Sequence, residues 1–110
     1  MADKNIFDVM KEKIAEDLNS ITFELLAVED VVKKNADGTE TFETKLHLEI
    51  PKGNERYSRL RIAVKIPRTS KFSSINFDET EVFITLSGTK ISFIDSKGNV
   101  YFKADYAEIV

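Results

Sequence analysis

The chain of 110 residues carries 42% apolar and 32% charged side chains with a formal net charge of -3 at pH 7, the balance of one packed domain under a solvated surface and too short for two cores. Having no cysteine, it is without disulfides, thiolate nucleophiles and cysteine-held metals, and no apolar run approaches the ~20 residues that cross a bilayer. Because the opening Met-Ala-Asp-Lys-Asn lacks the apolar core of a secretion signal, a cytoplasmic protein with no membrane segment is expected.

From about Asn5 to Asn19, Ile6, Phe7, Met10, Ile14 and Leu18 recur at spacings of three and four, which predicts an amphipathic helix over residues 1–19. After Ser20 the apolar period becomes two and β-branched and aromatic residues dominate, which predicts strands near 21–34, 40–50, 55–66, 81–87, 90–95 and 99–104, with a looser stretch from Pro67 to Asp78. The four glycines fall between these runs, at Gly38, Gly53, Gly88 and Gly98, where tight turns favour them. Five to six antiparallel strands in about ninety residues fit a small OB-like barrel or a strongly curved sheet better than a seven-stranded sandwich. The expected fold is therefore mostly β, one domain over 1–110, with the N-terminal helix at 1–19 and the barrel at 20–110.

Residues that could carry catalysis are sparse. His47 is the only histidine, and in the alternating run from Phe42 to Ile50 it shares the polar face with Glu43, Lys45 and Glu49, the position of a solvated side chain. It has no second histidine or cysteine for a common zinc site. The pairs Glu29-Asp30 and Asp78-Glu79 lack the ligand spacing of a calcium loop, and the isolated glycines form no phosphate-cradling loop. The expectation is a protein that is not an enzyme and that needs neither metal nor cofactor.

Charge is unevenly spread. Between Lys52 and Lys71 seven basic residues stand against Glu55 alone, a local +6 that leaves the remainder at -9. Within this segment Leu60, Ile62, Val64 and Ile66 take the core phase, so Tyr57, Arg59, Arg61 and Lys65 share the other face, and Arg68, Lys71 and Phe72 follow in the next loop. An aromatic ring among cations suits single-stranded nucleic acid. A solvated charged face is the commoner outcome for such a strand. Pairing with the preceding strand leaves two simple registers. A three-residue loop sets Glu49 opposite Tyr57, His47 opposite Arg59 and Lys45 opposite Arg61, whereas a five-residue loop sets Glu49 opposite Arg59 and Glu43 opposite Lys65. Tyr101 and Lys103 repeat the outward aromatic and cationic pattern on the last strand.

From about Val31 onward the chain resembles the YdcP-like family of small proteins carried by conjugative transposons of Gram-positive bacteria. The resemblance rests on the Asp37-Gly38 hairpin, the run from Arg61 to Pro67, the segment Phe77-Asp78-Glu79-Thr80-Glu81-Val82 and the closing Tyr101 to Asp105. It implies an OB-like barrel and, for members with an assigned role, a helicase processivity factor that aids a host helicase on element DNA. No residue-level DNA contacts carry over, so the candidate nucleic-acid site remains Tyr57, Arg59, Arg61, Lys65, Arg68 and Lys71. The resulting expectation is an accessory protein of a mobile element that binds single-stranded DNA and contacts a host helicase. The alternative is a protein-interaction module using the N-terminal helix or the acidic surface.

Overall fold

A computed structural model describes residues 6–51, 60–97 and 100–110, with side chains from Glu12 onward. Helix α1 spans Ile6–Asn19, and the face carrying Ile14, Ala15 and Leu18 closes onto the sheet, with Ala15 and Leu18 buried. It ends in a tightened turn in which Ser20 N donates to Asp17 O and Ile21 N to Leu18 O, a common way to satisfy terminal carbonyls. Asn19 Oδ1 accepts the backbone N–H of Thr89 at 3.0 Å, which ties the helix end to the sheet.

Seven strands follow: β1 (Phe23–Lys34), β2 (Glu40–Glu49), β3 (Arg61–Pro67), β4 (Val82–Ser87), β5 (Lys90–Ile94), β6 (Val100–Lys103) and β7 (Tyr106–Ile109). They form one sheet in the order β5-β6-β3-β2-β1-β4-β7, curled into a half-barrel. The two-residue period decides what lies inside: Phe23 and Leu25, Leu46 and Leu48, Val64 and Ile66, and Val82, Ile84 and Leu86 are all buried. Phe72, in the connection after β3, is buried with them. Each such side chain stabilises the fold by about 1.5–3 kcal/mol relative to exposure.

The last four strands are one long hairpin with a bend in it. β4 pairs with β7 from Ile84↔Ile109 to Ser87↔Tyr106, and β5 pairs with β6 from Lys90↔Lys103 to Ile94↔Val100. Between the two halves Asp105 N donates to Ser87 O at 2.8 Å, so the ladder continues through the bend. Gly88 makes the bend possible. Its φ of 68° lies in the left-handed region, and a Cβ there would run into the Asp105 side chain. One half of the hairpin then lies antiparallel beside β1 (Phe23↔Ile84) and the other parallel beside β3 (Val64↔Phe102). Counted as two bent strands, β4–β5 and β6–β7 flank β1 and β3, and the curled sheet takes a small barrel-like shape.

Several details depart from the sequence-based expectations. β7 had no predicted counterpart, because Ala104 and Asp105 break the alternation that leads into it. The pairing of β3 with β6 is parallel, not antiparallel. β3 begins at Arg61 instead of 55, Leu60 is 49% exposed instead of in the core, and residues 52–59 lie outside the described residues. Among the described residues, no helix is long and apolar enough to cross a membrane.

Substituting Gly88→Ala forces a side chain into a left-handed backbone position already occupied by Asp105. Urea denaturation is expected to show a loss of about 1–3 kcal/mol. A loss below about 0.5 kcal/mol, within the range of ordinary surface changes, would show that the bend does not depend on glycine.

Candidate functional site

The outer face of the sheet is set by how β2 meets β3. The observed partners are Glu49↔Arg61, His47↔Ala63, Lys45↔Lys65 and Glu43↔Pro67, with Ile50 N donating to Leu60 O at 2.9 Å just beyond. Both simple registers predicted from loop length are therefore displaced. The alternation fixes only which face points inward, and connections of three, five or more residues all satisfy it. The observed register places Leu46 opposite Val64 and Leu48 opposite Ile62 and goes with a longer connection. Neither Lys45 opposite Arg61 nor Glu43 opposite Lys65 occurs. Arg61 instead faces Glu49, with Nε 2.9 Å from Oε2.

This register aligns lysines. Lys45 stands opposite Lys65, Lys65 beside Lys103, and Lys103 opposite Lys90, so four cations occupy one row across β2, β3, β6 and β5. At the usual spacing between strands the row is about 14 Å long. Like charges directly opposite each other are destabilising, by roughly 0.2–1 kcal/mol per pair. Two carboxylates relieve the row in part: Glu29 Oε1 lies 3.8 Å from Lys45 Nζ, and Glu43 Oε2 lies 3.5 Å from Lys103 Nζ. Among the described residues Lys65 and Lys90 have no ion-pair partner.

Two residues further along the same face runs a second row. It contains His47, then Ala63, then Tyr101 with Phe93 opposite it. Phe93 is 59% exposed and Tyr101 43%, and their ring centroids are 5.6 Å apart with the planes tilted by 34°. The Tyr101 hydroxyl donates to Asp95 Oδ2 at 3.2 Å. That bond and the neighbouring negative charge push the phenol above its ordinary pKa. The ring is thereby oriented by the turn that follows β5. Small Ala63 leaves the floor open, and the result is a groove of about 560 Å³ walled by Lys33, Lys45, Lys65, Lys103, Phe93 and Tyr101.

Of the four described residues among the six singled out from sequence, Lys65 alone lines this groove. Arg61 is paired with Glu49. Arg68 is turned inward to the hairpin arm, where Nε donates to Glu43 O at 3.2 Å, Nη2 donates to Val31 O at 3.1 Å, Asp30 lies 3.4 Å away and the guanidinium covers Phe42. Lys71 Nζ donates to Ala107 O at 3.0 Å, capping a carbonyl of the terminal strand β7 in the manner that blunts a sheet edge. Tyr57 and Arg59 lie outside the described residues. Groove residues absent from that set include Lys33, Lys45, Lys103, Phe93 and Tyr101. Their signal was the outward phase of Tyr101 and Lys103, which acquires meaning only once β6 is placed beside β3.

His47 is held by Glu29, with Nε2 2.8 Å from Oε1. The hydrogen bond from His47 pulls the Glu29 carboxyl below its ordinary pKa against the opposing effect of desolvation, with Lys45 adding to the pull. Among the described residues no cluster of histidine and carboxylate side chains could hold a metal ion. Comparison with protein-family models, curated proteins and solved structures finds no match to this chain.

The strain in the lysine row is measurable without any ligand. Replacing Lys65→Gln removes two like-charge facings and is expected to raise stability by about 0.2–1 kcal/mol at low salt, with the gain shrinking at high salt as the charges are screened. Urea denaturation at the two ionic strengths measures this. Destabilisation at low salt would show that the row is not under electrostatic strain.

Proposed function

We propose that this chain is a non-enzymatic protein that binds single-stranded DNA across the face of β2, β3, β6 and β5. The observation that carries the reading is the adjacency of the two rows, four lysines on neighbouring strands and, beside them, His47, Tyr101 and Phe93. Phosphates laid along the first row relieve its mutual repulsion. Unpaired bases reach the second, where exposed rings offer a stacking surface to any base. A duplex keeps its bases stacked inside and gains only the electrostatic half of this interaction. The groove also occupies the part of an OB-like barrel, its second and third strands and the adjoining loops, on which such folds bind oligonucleotides.

The net charge of -3 does not oppose this reading. The acidic remainder of the surface repels a polyanion, while the lysine row attracts it, so the field favours approach by one face. The resemblance to the YdcP-like family adds a setting: an accessory role in the cytoplasm on DNA of a mobile element, beside a host helicase.

Fluorescence anisotropy with a labelled single strand of about twenty nucleotides, and a duplex as control, tests the proposal. Neutralising three or four phosphates gives a dependence of log affinity on log salt with a slope of about -2 to -3. Lys65→Glu combined with Lys103→Glu should abolish binding, and Tyr101→Ala should weaken it by about 1–3 kcal/mol. Arg61→Gln should change little. Absence of binding at low salt, or binding indifferent to the double charge reversal, would overturn the proposal and favour protein docking through α1 or the acidic surface.

A further inference from the structure

The second row of the groove has a gap in it. Ala63 stands directly across from His47, and the parallel pairing of Val64 with Phe102 brings it level with Tyr101, so a single methyl group separates two rings. Strands β2 and β6 lie two strand spacings apart, about 9.6 Å. Stacked planar bases lie about 3.4 Å apart, so one base between two rings takes up about 6.8 Å and two take up about 10.2 Å. The gap has the width for one base.

Open space reaches Ala63 from both directions. It lines the groove of about 560 Å³ and also a second hollow of about 400 Å³ that borders His47, Leu26 and Arg61. Both walls of the gap are braced from their far sides. Phe93, on the strand beyond, packs on Tyr101 with ring centroids 5.6 Å apart, and Glu29, on β1, holds His47 at 2.8 Å. Lys65 lies two residues from Ala63 along β3, about 6.6 Å away, which places a cation at the phosphate of a nucleotide whose base enters the gap.

We infer that the gap over Ala63 is a slot for one unstacked base, sandwiched between His47 and Tyr101, and that the small side chain at this position keeps it open. The inference rests on the proposed single-strand binding. Such a slot takes a base only from a strand whose bases are free to leave their stack, so Ala63 is a determinant of selectivity against duplex. A larger side chain there occupies the space of the base and alters no charge. The contribution of the slot is therefore separable from that of the lysine row.

The experiment is the anisotropy titration at constant low salt with two labelled probes of equal length, oligothymidylate and a strand of abasic residues that keeps the phosphates and lacks the bases. Circular dichroism establishes that each variant retains the fold. Wild-type protein is expected to bind the abasic strand more weakly than oligothymidylate by about five- to hundredfold, the worth of a stacked base. Ala63→Leu should weaken oligothymidylate binding by about the same factor, while leaving the abasic strand and the salt dependence unchanged, and Ala63→Ser should match the wild type. Three results overturn the slot and leave the single-strand reading standing: wild-type protein that binds the two probes equally, oligothymidylate binding undiminished by Ala63→Leu, or a loss of equal size on both probes. Absence of wild-type binding to oligothymidylate overturns both.

Discussion

The open face depends on how β2 is set against β3 beneath it, with Leu46 opposite Val64 and Leu48 opposite Ile62. A slip of two residues would preserve the inward phase and place Glu43 opposite Lys65 and Glu49 opposite Arg59, a ladder that neutralises itself. The observed register instead aligns Lys45 with Lys65. Burial of a few aliphatic side chains, at about 1.5–3 kcal/mol each, is larger than the few tenths of a kcal/mol to about 1 kcal/mol that an exposed like-charge pair costs. A packed interior thus carries a charge pattern that the exterior would not adopt by itself.

The barrel was legible in the sequence because its signals are local. Apolar spacing changes from three-four to two after Ser20, glycines separate the runs, and the curled, mostly β sheet with its N-terminal helix follows. The outward phase of Lys65, of Arg61 and of the Tyr101 and Lys103 pair was equally plain. The groove was not, because it joins Lys45, Lys65 and Lys103, which lie as much as 58 positions apart, through a parallel pairing that no local pattern encodes. Arg68 and Lys71 misled for a related reason. Each donates to a backbone carbonyl, on Val31, Glu43 or Ala107, and such a partner is within reach only after the strands have been assembled. Charge density along the chain identified the basic segment, but hydrogen bonds formed in three dimensions engage two of its members with backbone carbonyls away from the groove.

The site is borne by strands and not by long loops, which bears on how sharply it is defined. Lys65 and Lys103 project from paired backbone, Tyr101 is steadied through Asp95, and Glu29 and Glu43 hold Lys45 and Lys103. Less conformational freedom remains to be lost when a strand of nucleic acid settles. The carboxylates must also be displaced or tolerated by the incoming phosphates, so the same contacts that order the cations temper their attraction.

The bent hairpin carries a consequence for how the chain reaches this state. β4 through β7 form a unit whose partners are close in sequence near its turn, so it can zip from that turn with modest loss of chain entropy. Joining Val64 to Phe102 is different: it closes a loop of nearly forty residues in a parallel pairing. Pairings of that span are slow relative to local ones. The lysine row and the aromatic row are each divided across this seam, β2 and β3 on one side, β5 and β6 on the other. The groove therefore comes into existence only once this long-range contact has formed, and a chain lacking it presents half of each row.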